Sequence, residues 1–316
     1  MVDVLTQDSG DGWVTYNADC VDVVGELPAE SIGYSIFSPP FASLYTYSAS
    51  DRDIGNCKDV GEFMAHFSFL LPEILRVTKP GRLMSMHCML LPTSKARDGF
   101  IGLQDFRGAL IQAAIAAGWI YHSEVCIWKD PVTAMQRTKA LGLLHKQIKK
   151  DSCMSRQGIP DYLVTFRKPG ENPEPVTHTA ETFPVEQWQR YASPVWATRA
   201  GVDSEGFEKF SEPTADNPDK CGIRSGDTLQ KESAREEADE RHICPLQLDV
   251  IRRGIRLWTN PGDVVLSPFM GIGSEGYVAR EEGRRFVGAE LKPSYYRQAV
   301  ANLRTVGTQL SLFGGT

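Results

Sequence analysis

The stretch Asn260–Glu290, NPGDVVLSPFMGIGSEGYVAREEGRRFVGAE, decides how this 316-residue chain folds. An apolar strand is expected at 263–267, and Gly271-Ile272-Gly273-Ser274-Glu275-Gly276 opens a helix at 274–283. The hexapeptide fits G-x-G-x-x-G between strand and helix, the setting in which glycines let backbone approach a nucleotide. A further strand at 285–291 carries Glu290, placed to accept bonds from both hydroxyls of a ribose, and a helix follows at 293–304. Taken alone the glycine match is weak, because a tight strand–helix turn with nothing bound looks the same. Its place in the chain says more. A nicotinamide-binding fold needs several strands after such a loop, and only 26 residues follow Glu290. The rest of the sheet must come from the N-terminal half, with the cofactor half and the catalytic half in reversed order.

That N-terminal half reads as orderly α/β. Strands are expected at 13–17 and 33–38, with a short helix between them that Pro28 stops. Phe63, Phe67, Leu70, Leu71, Ile74 and Leu75 recur at helical spacing, which predicts an amphipathic helix over 60–77. A strand at 82–88, a helix at 104–117 and strands at 121–128 and 161–168 continue the alternation. The expected class is therefore α/β: a Rossmann-like, mostly parallel sheet with helices on both faces and a circularly permuted strand order.

At the end of the second strand stands Ser38-Pro39-Pro40-Phe41. In an open α/β sheet the carboxyl end of a strand faces the ligand crevice. Two prolines fix the backbone and present the Pro39 carbonyl, Ser38 adds a second acceptor, and Phe41 offers a stacking face. Such a set suits an exocyclic amine on a flat heterocycle, although a strand stop with a core phenylalanine would read alike. With both loops in hand, the chain resembles the amino-group DNA methyltransferases of the beta class. Ser38-Pro39-Pro40-Phe41 resembles their catalytic loop, and 260–290, above all Pro268-Phe269-Met270-Gly271-Ile272-Gly273, resembles their cofactor segment. Asn17-Ala18-Asp19-Cys20 with Leu27-Pro28 is similar to their N-terminal element, and 242–257 to the segment before the cofactor loop. The resemblance spans about residues 13–130 and 242–304. Ser267 departs from it, standing where Asp is usual, and so do Asn17 and Ala18.

The resemblance implies S-adenosylmethionine as methyl donor, held by Asp19, Cys20, Ser267, Pro268, Phe269, Gly271, Gly273, Ser274 and Glu290. It implies a base flipped from double-stranded DNA onto Ser38, Pro39, Pro40 and Phe41, with cytosine N4 the expected target and adenine N6 the alternative. A methyltransferase of this fold acting on RNA or another substrate, or an idle DNA-binding module (the reading Ser267 favours), stays open. A cytosine-C5 mechanism would need a nucleophilic cysteine in a Pro-Cys pair, and none of the 19 prolines precedes a cysteine. No metal site is expected: the seven cysteines (20, 57, 88, 126, 153, 221 and 244) are scattered, with no Cys-x-x-Cys, and read as free thiols of a cytoplasmic protein.

The middle of the chain changes character. Residues 129–169 hold nine Lys/Arg against three Asp/Glu, and residues 170–241 hold eight against sixteen. The basic part fits phosphate binding through Arg137, Lys139, Lys146, Lys149, Lys150 and Arg156, on one helix whose apolar face carries Leu141, Leu144 and Ile148. The acidic part, rich in Pro, Gly, Ser and Thr, reads as an irregular insertion with a disordered portion near 211–240. The expected division is 1–135 catalytic, 136–241 target-recognising and 242–316 cofactor-binding. A net charge of −6 neither advertises nor excludes a nucleic acid. No stretch approaches a membrane span, and pairing into a homodimer is an open expectation.

Overall fold

The computed structural model describes residues 5–41, 57–138, 144–214, 221–230 and 245–313. Strands β1 (Thr6–Gly10) and β2 (Trp13–Asn17) form a hairpin, and α1 (Cys20–Glu26) leads to β3 (Ile32–Phe37). Helix α2 (Val60–Val77) runs straight into β4 (Thr78–Met89). A small hairpin, β5 (Leu91–Pro92) with β6 (Leu103–Gln104), brackets α3 (Lys95–Asp98). Then come α4 (Phe106–Ala116), β7 (Ile120–Ile127), α5 (Pro131–Thr138), α6 (His145–Ile148), a 3-10 turn at Ser152–Met154 and β8 (Asp161–Arg167). Helix α7 (Val185–Tyr191), β9 (Val195–Trp196) and the hairpin of β10 (Thr198–Val202) and β11 (Glu208–Ser211) follow. The chain closes with α8 (Leu248–Trp258), β12 (Val264–Ser267), α9 (Ser274–Glu281), β13 (Arg285–Ala289) and α10 (Pro293–Phe313).

Nine of these strands make one sheet in the order β1-β2-β13-β12-β3-β4-β8-β7-β9. The two C-terminal strands thus lie between β2 and β3, so the two ends of the chain share one sheet in a permuted order, as expected. Five of the eight neighbour pairings are parallel; β1–β2, β4–β8 and β7–β8 are antiparallel. Side chains alternate between two cores as strand pleating requires. Met84, Met86 and Cys88 of β4 face α1, α2 and α4, where Val24, Phe63, Phe67 and Leu110 are buried. Leu83 faces the opposite core with Tyr34 and Ile36, under Val250, Ile251 and Ile255 of α8 and Val278 of α9. Helix α2 starts where the Asp59 side chain accepts the Glu62 amide, a cap of the usual kind.

One buried ion pair crosses the sheet. Arg82 of β4 meets Asp263, just before β12, over the intervening β3. The crossing is possible because residue 33 is glycine: a Cβ there would lie 2.9 Å from the Asp263 carboxyl carbon.

Several expectations need correction. The basic segment is not one helix: Leu144 has extended backbone, so α6 begins afresh at His145 and lasts four residues. Leu141 and Lys139 lie outside the described residues, as do 215–220 and 231–241 of the acidic part. What is described of 170–214 is not wholly irregular. It supplies α7, the hairpin β10–β11, and β9, which extends the main sheet at the edge of β7. Helix α4 starts two residues later than expected because Asp105 caps it by accepting the Gly108 amide. The final helix runs on to Phe313. Among the described residues no helix is long and apolar enough to cross a membrane.

Candidate active site

The carboxyl ends of β2, β3, β12 and β13 open on one cleft of about 1040 Å³, its mouth included. On one side stand Ser38, Pro39, Pro40 and Phe41, which leave β3 together because two prolines cannot continue a ladder. Phe41 packs against Phe106 of α4, with ring centroids 6.4 Å apart. On the other side Pro268, Phe269, Gly271 and Ser274 form the strand–helix loop, with Glu290 beyond it and Asp19 and Cys20 at the start of α1. Two sequence-chosen residues, Ser267 and Gly273, are not on the cleft wall. Gly273 has φ +85°, and a Cβ there would meet Ala299 of α10 at 3.0 Å, so it serves the close approach of α10 to the loop.

Glu290 is held in place. The Gly271 amide donates to Oε2 (2.9 Å) and the Lys292 amide to Oε1 (2.8 Å). A carboxylate oxygen accepts more than one bond, so the group retains capacity toward a sugar. Asn17 sets the backbone under it: its side-chain amide donates to the carbonyls of Glu290 (2.7 Å) and Leu291 (2.9 Å). Asn17, a departure from the family pattern, therefore positions the cleft without lining it. Asn302 of α10 likewise donates to the Ile272 carbonyl (2.8 Å), bracing the glycine loop. Burial, aided by the charges of Asp19 and Glu290, pushes the Cys20 thiol well up, which keeps it protonated. Glu275, in the first turn of α9 on the cleft wall, is buried. Burial, with the Glu290 charge adding to it, pushes its carboxyl up to about 8.

Behind Ser38 lies a group that sequence reasoning missed. Ser38 Oγ is 3.1 Å from His87 Nδ1, and His87 Nε2 is 2.9 Å from Asp161 Oδ2. Lys129 also pairs with Asp161 Oδ2. Burial alone would raise the Asp161 carboxyl, but Lys129 and His87 outweigh it and hold the group below its ordinary range. The expected phosphate contacts lie elsewhere. Lys146, Lys149 and Lys150 are exposed on α6 and the turn after it, and Arg156 is half-buried. For Arg137 only the backbone of α5 is described.

Residues 33–301 match a protein family described as DNA methylase, the N6/N4 group. The chain belongs to that family. It is therefore an S-adenosylmethionine-dependent DNA methyltransferase that methylates an exocyclic nitrogen. Among curated relatives, the Type II methyltransferase M.Cfr9I of Citrobacter freundii is 25% identical over 309 residues, covering 95% of this chain and 90% of its own. M.BglII of Bacillus subtilis is 35% identical over 98 residues, 28% of this chain and 27% of its own. Among solved structures, a cytosine-N4-specific PvuII DNA methyltransferase aligns with TM-score 0.63 at 14% identity, over 97% of this chain and 94% of that one. A Thermus thermophilus protein described as a DNA modification methylase, complexed with S-adenosyl-L-methionine, aligns with TM-score 0.60 at 19% identity, over 91% and 93%. These structural likenesses establish the shared fold.

The cleft fits the donor. A Cβ at Gly271 would meet nothing within 4 Å, so the loop leaves open space on that wall. Ser274 Oγ, buried there, has no hydrogen-bond partner among the described residues.

Proposed function

We propose that the chain methylates cytosine N4 in double-stranded DNA, with Ser38 and the Pro39 carbonyl as acceptors for the amine. The observation that carries this reading is the single cleft with the Ser-Pro-Pro-Phe loop on one wall and the glycine loop with Glu290 on the other. Bound S-adenosylmethionine supplies a methyl carbon already activated by its sulfonium. The chain's own work lies with the nucleophile, because an amino nitrogen on cytosine or adenine shares its lone pair with the ring. Acceptors on its N–H groups draw that lone pair back, and positioning in line with the methyl supplies much of the remaining rate. The base must leave the duplex to reach the cleft, where Phe41 serves as its stacking face. Glu290 would hold the ribose of the donor, with Gly271 and Ser274 beside it.

Ser38 favours cytosine. An uncharged hydroxyl accepts a weaker bond than a carboxylate, so the rigid Pro39 carbonyl carries more of the load. A smaller ring is then better covered by one aromatic face. Digestion of DNA from cells expressing the chain, followed by nucleoside mass spectrometry, tests the choice. N4-methylcytosine is expected; N6-methyladenine alone would overturn it.

A further inference from the structure

Ser38, His87, Asp161 and Lys129 come from the ends of four strands that are adjacent in the sheet, β3, β4, β8 and β7. Asp161 is the first residue of β8, paired with Met89 on one side and Ile127 on the other. His87 is 6% exposed and Asp161 2%, so water has little access to the bonds between them. An Asp161 carboxylate accepts only. The bond at Nε2 therefore takes the imidazole proton, and Nδ1 turns a lone pair to Ser38. The Ser38 hydroxyl proton points to Nδ1, and its remaining lone-pair capacity faces the cleft.

This matters for the proton that N-methylation must shed. As the nitrogen–carbon bond forms, the carbon–sulfur bond breaks and its electron pair stays on sulfur. The nitrogen then carries a positive charge and must lose one N–H proton. A serine hydroxyl is no base by itself, but it can pass a proton on. Resting on the reading of Ser38 above, we propose that His87 is the terminal acceptor of this proton, reached through Ser38 and positioned by Asp161 and Lys129. The amine proton moves to Ser38 Oγ as the Ser38 proton moves to His87 Nδ1. The imidazolium so formed lies against the Asp161 carboxylate and later releases its proton to water. Lys129 keeps Asp161 ionised throughout, and Asp161 in turn separates the two positive charges.

The competing view is that His87, Asp161 and Lys129 only latch strand ends together. His87→Asn separates the two: its side-chain oxygen falls near the place of Nδ1 and still accepts from Ser38, but takes no proton. Single-turnover methyl transfer by His87→Asn should fall by about 10²-fold or more, with KM for DNA and affinity for S-adenosylmethionine within about 2-fold of the parent. The double variant Ser38→Ala/His87→Asn should be no slower than the slower single, since the two act as one unit. A parental rate in His87→Asn, or fully multiplicative losses in the double variant, would overturn the relay. Should His87→Asn fail to fold, Asp161→Asn serves in its place. A rate about 10-fold or more below the parent at unchanged donor affinity is expected, and an unchanged rate overturns the proposal. If the parent chain itself methylates no DNA, the underlying reading of Ser38 fails instead, and the two failures are distinct.

Discussion

Glu275 shows what a single side chain contributes at the cleft. Its carboxyl, pushed up to about 8 by burial and by Glu290, binds a proton more tightly folded than unfolded. The stability tied to that proton is whole below the ordinary carboxylate range. It falls as pH rises toward about 8 and is flat beyond. Glu275→Gln keeps the shape and removes the titration. The variant should therefore gain on the parent between about pH 5 and pH 8, by no more than several kcal/mol, measured as the difference in unfolding free energy at the two values. A difference that does not change with pH would mean that Glu275 is not a buried acid in solution. At this scale legibility depended on contiguity. Ser38 to Phe41 and Pro268 to Ser274 each form one run, so their chemistry is written in order. Ser38, His87 and Asp161 are separated by 49 and 74 positions, and no local pattern marks a contact that only strand adjacency creates. The bond of Asn17 to the Glu290 backbone and the close approach of Ala299 to Gly273 likewise join segments that are distant in sequence.

Among the elements, those with strong periodicity were readable almost to the residue. Helix α2 occupies the expected 60–77, because Phe63, Phe67, Leu70, Leu71 and Ile74 make one stripe against the sheet. The basic segment offers only Leu141, Leu144 and Ile148 as such a stripe, and Lys146, Lys149 and Lys150 sit on a four-residue helix and the turn after it. Short, exposed and positive, this element is the surface we expect to meet phosphates. Lys149→Glu with Lys150→Glu should weaken binding to duplex DNA and flatten the slope of log affinity against log salt by about 2. Affinity for S-adenosylmethionine should stay as it was. A salt slope equal to the parent's would move the DNA contact to another face. The strand β9 was unreadable for the opposite reason: two residues, Val195 and Trp196, are too short for any alternation to register.

The whole molecule is governed by the place of β12 and β13 between β2 and β3. That the two halves of the sheet come in reversed order is legible in the sequence, because the loop at 38–41 precedes the glycine loop at 271–276; the slot that β12 and β13 take in the sheet is not. The reversed direction of β8 was not legible, because pleating looks the same in either direction. A chain cut once after Gln230 should remain one particle in size-exclusion chromatography, since the C-terminal piece supplies central strands of a sheet begun by the N-terminal piece. Two separating fragments would contradict the sheet order. The same order imposes a schedule on the nascent chain. At ~5–20 residues per second, β3 leaves the ribosome tens of seconds before the partner that covers its β12-facing edge is made. Through that interval a strand of Ile, Gly, Tyr, Ser, Ile and Phe holds an open ladder edge, a hazard for pairing with other chains. Synthesis of this chain thus leaves one hydrophobic edge without its native partner until the last strands are made.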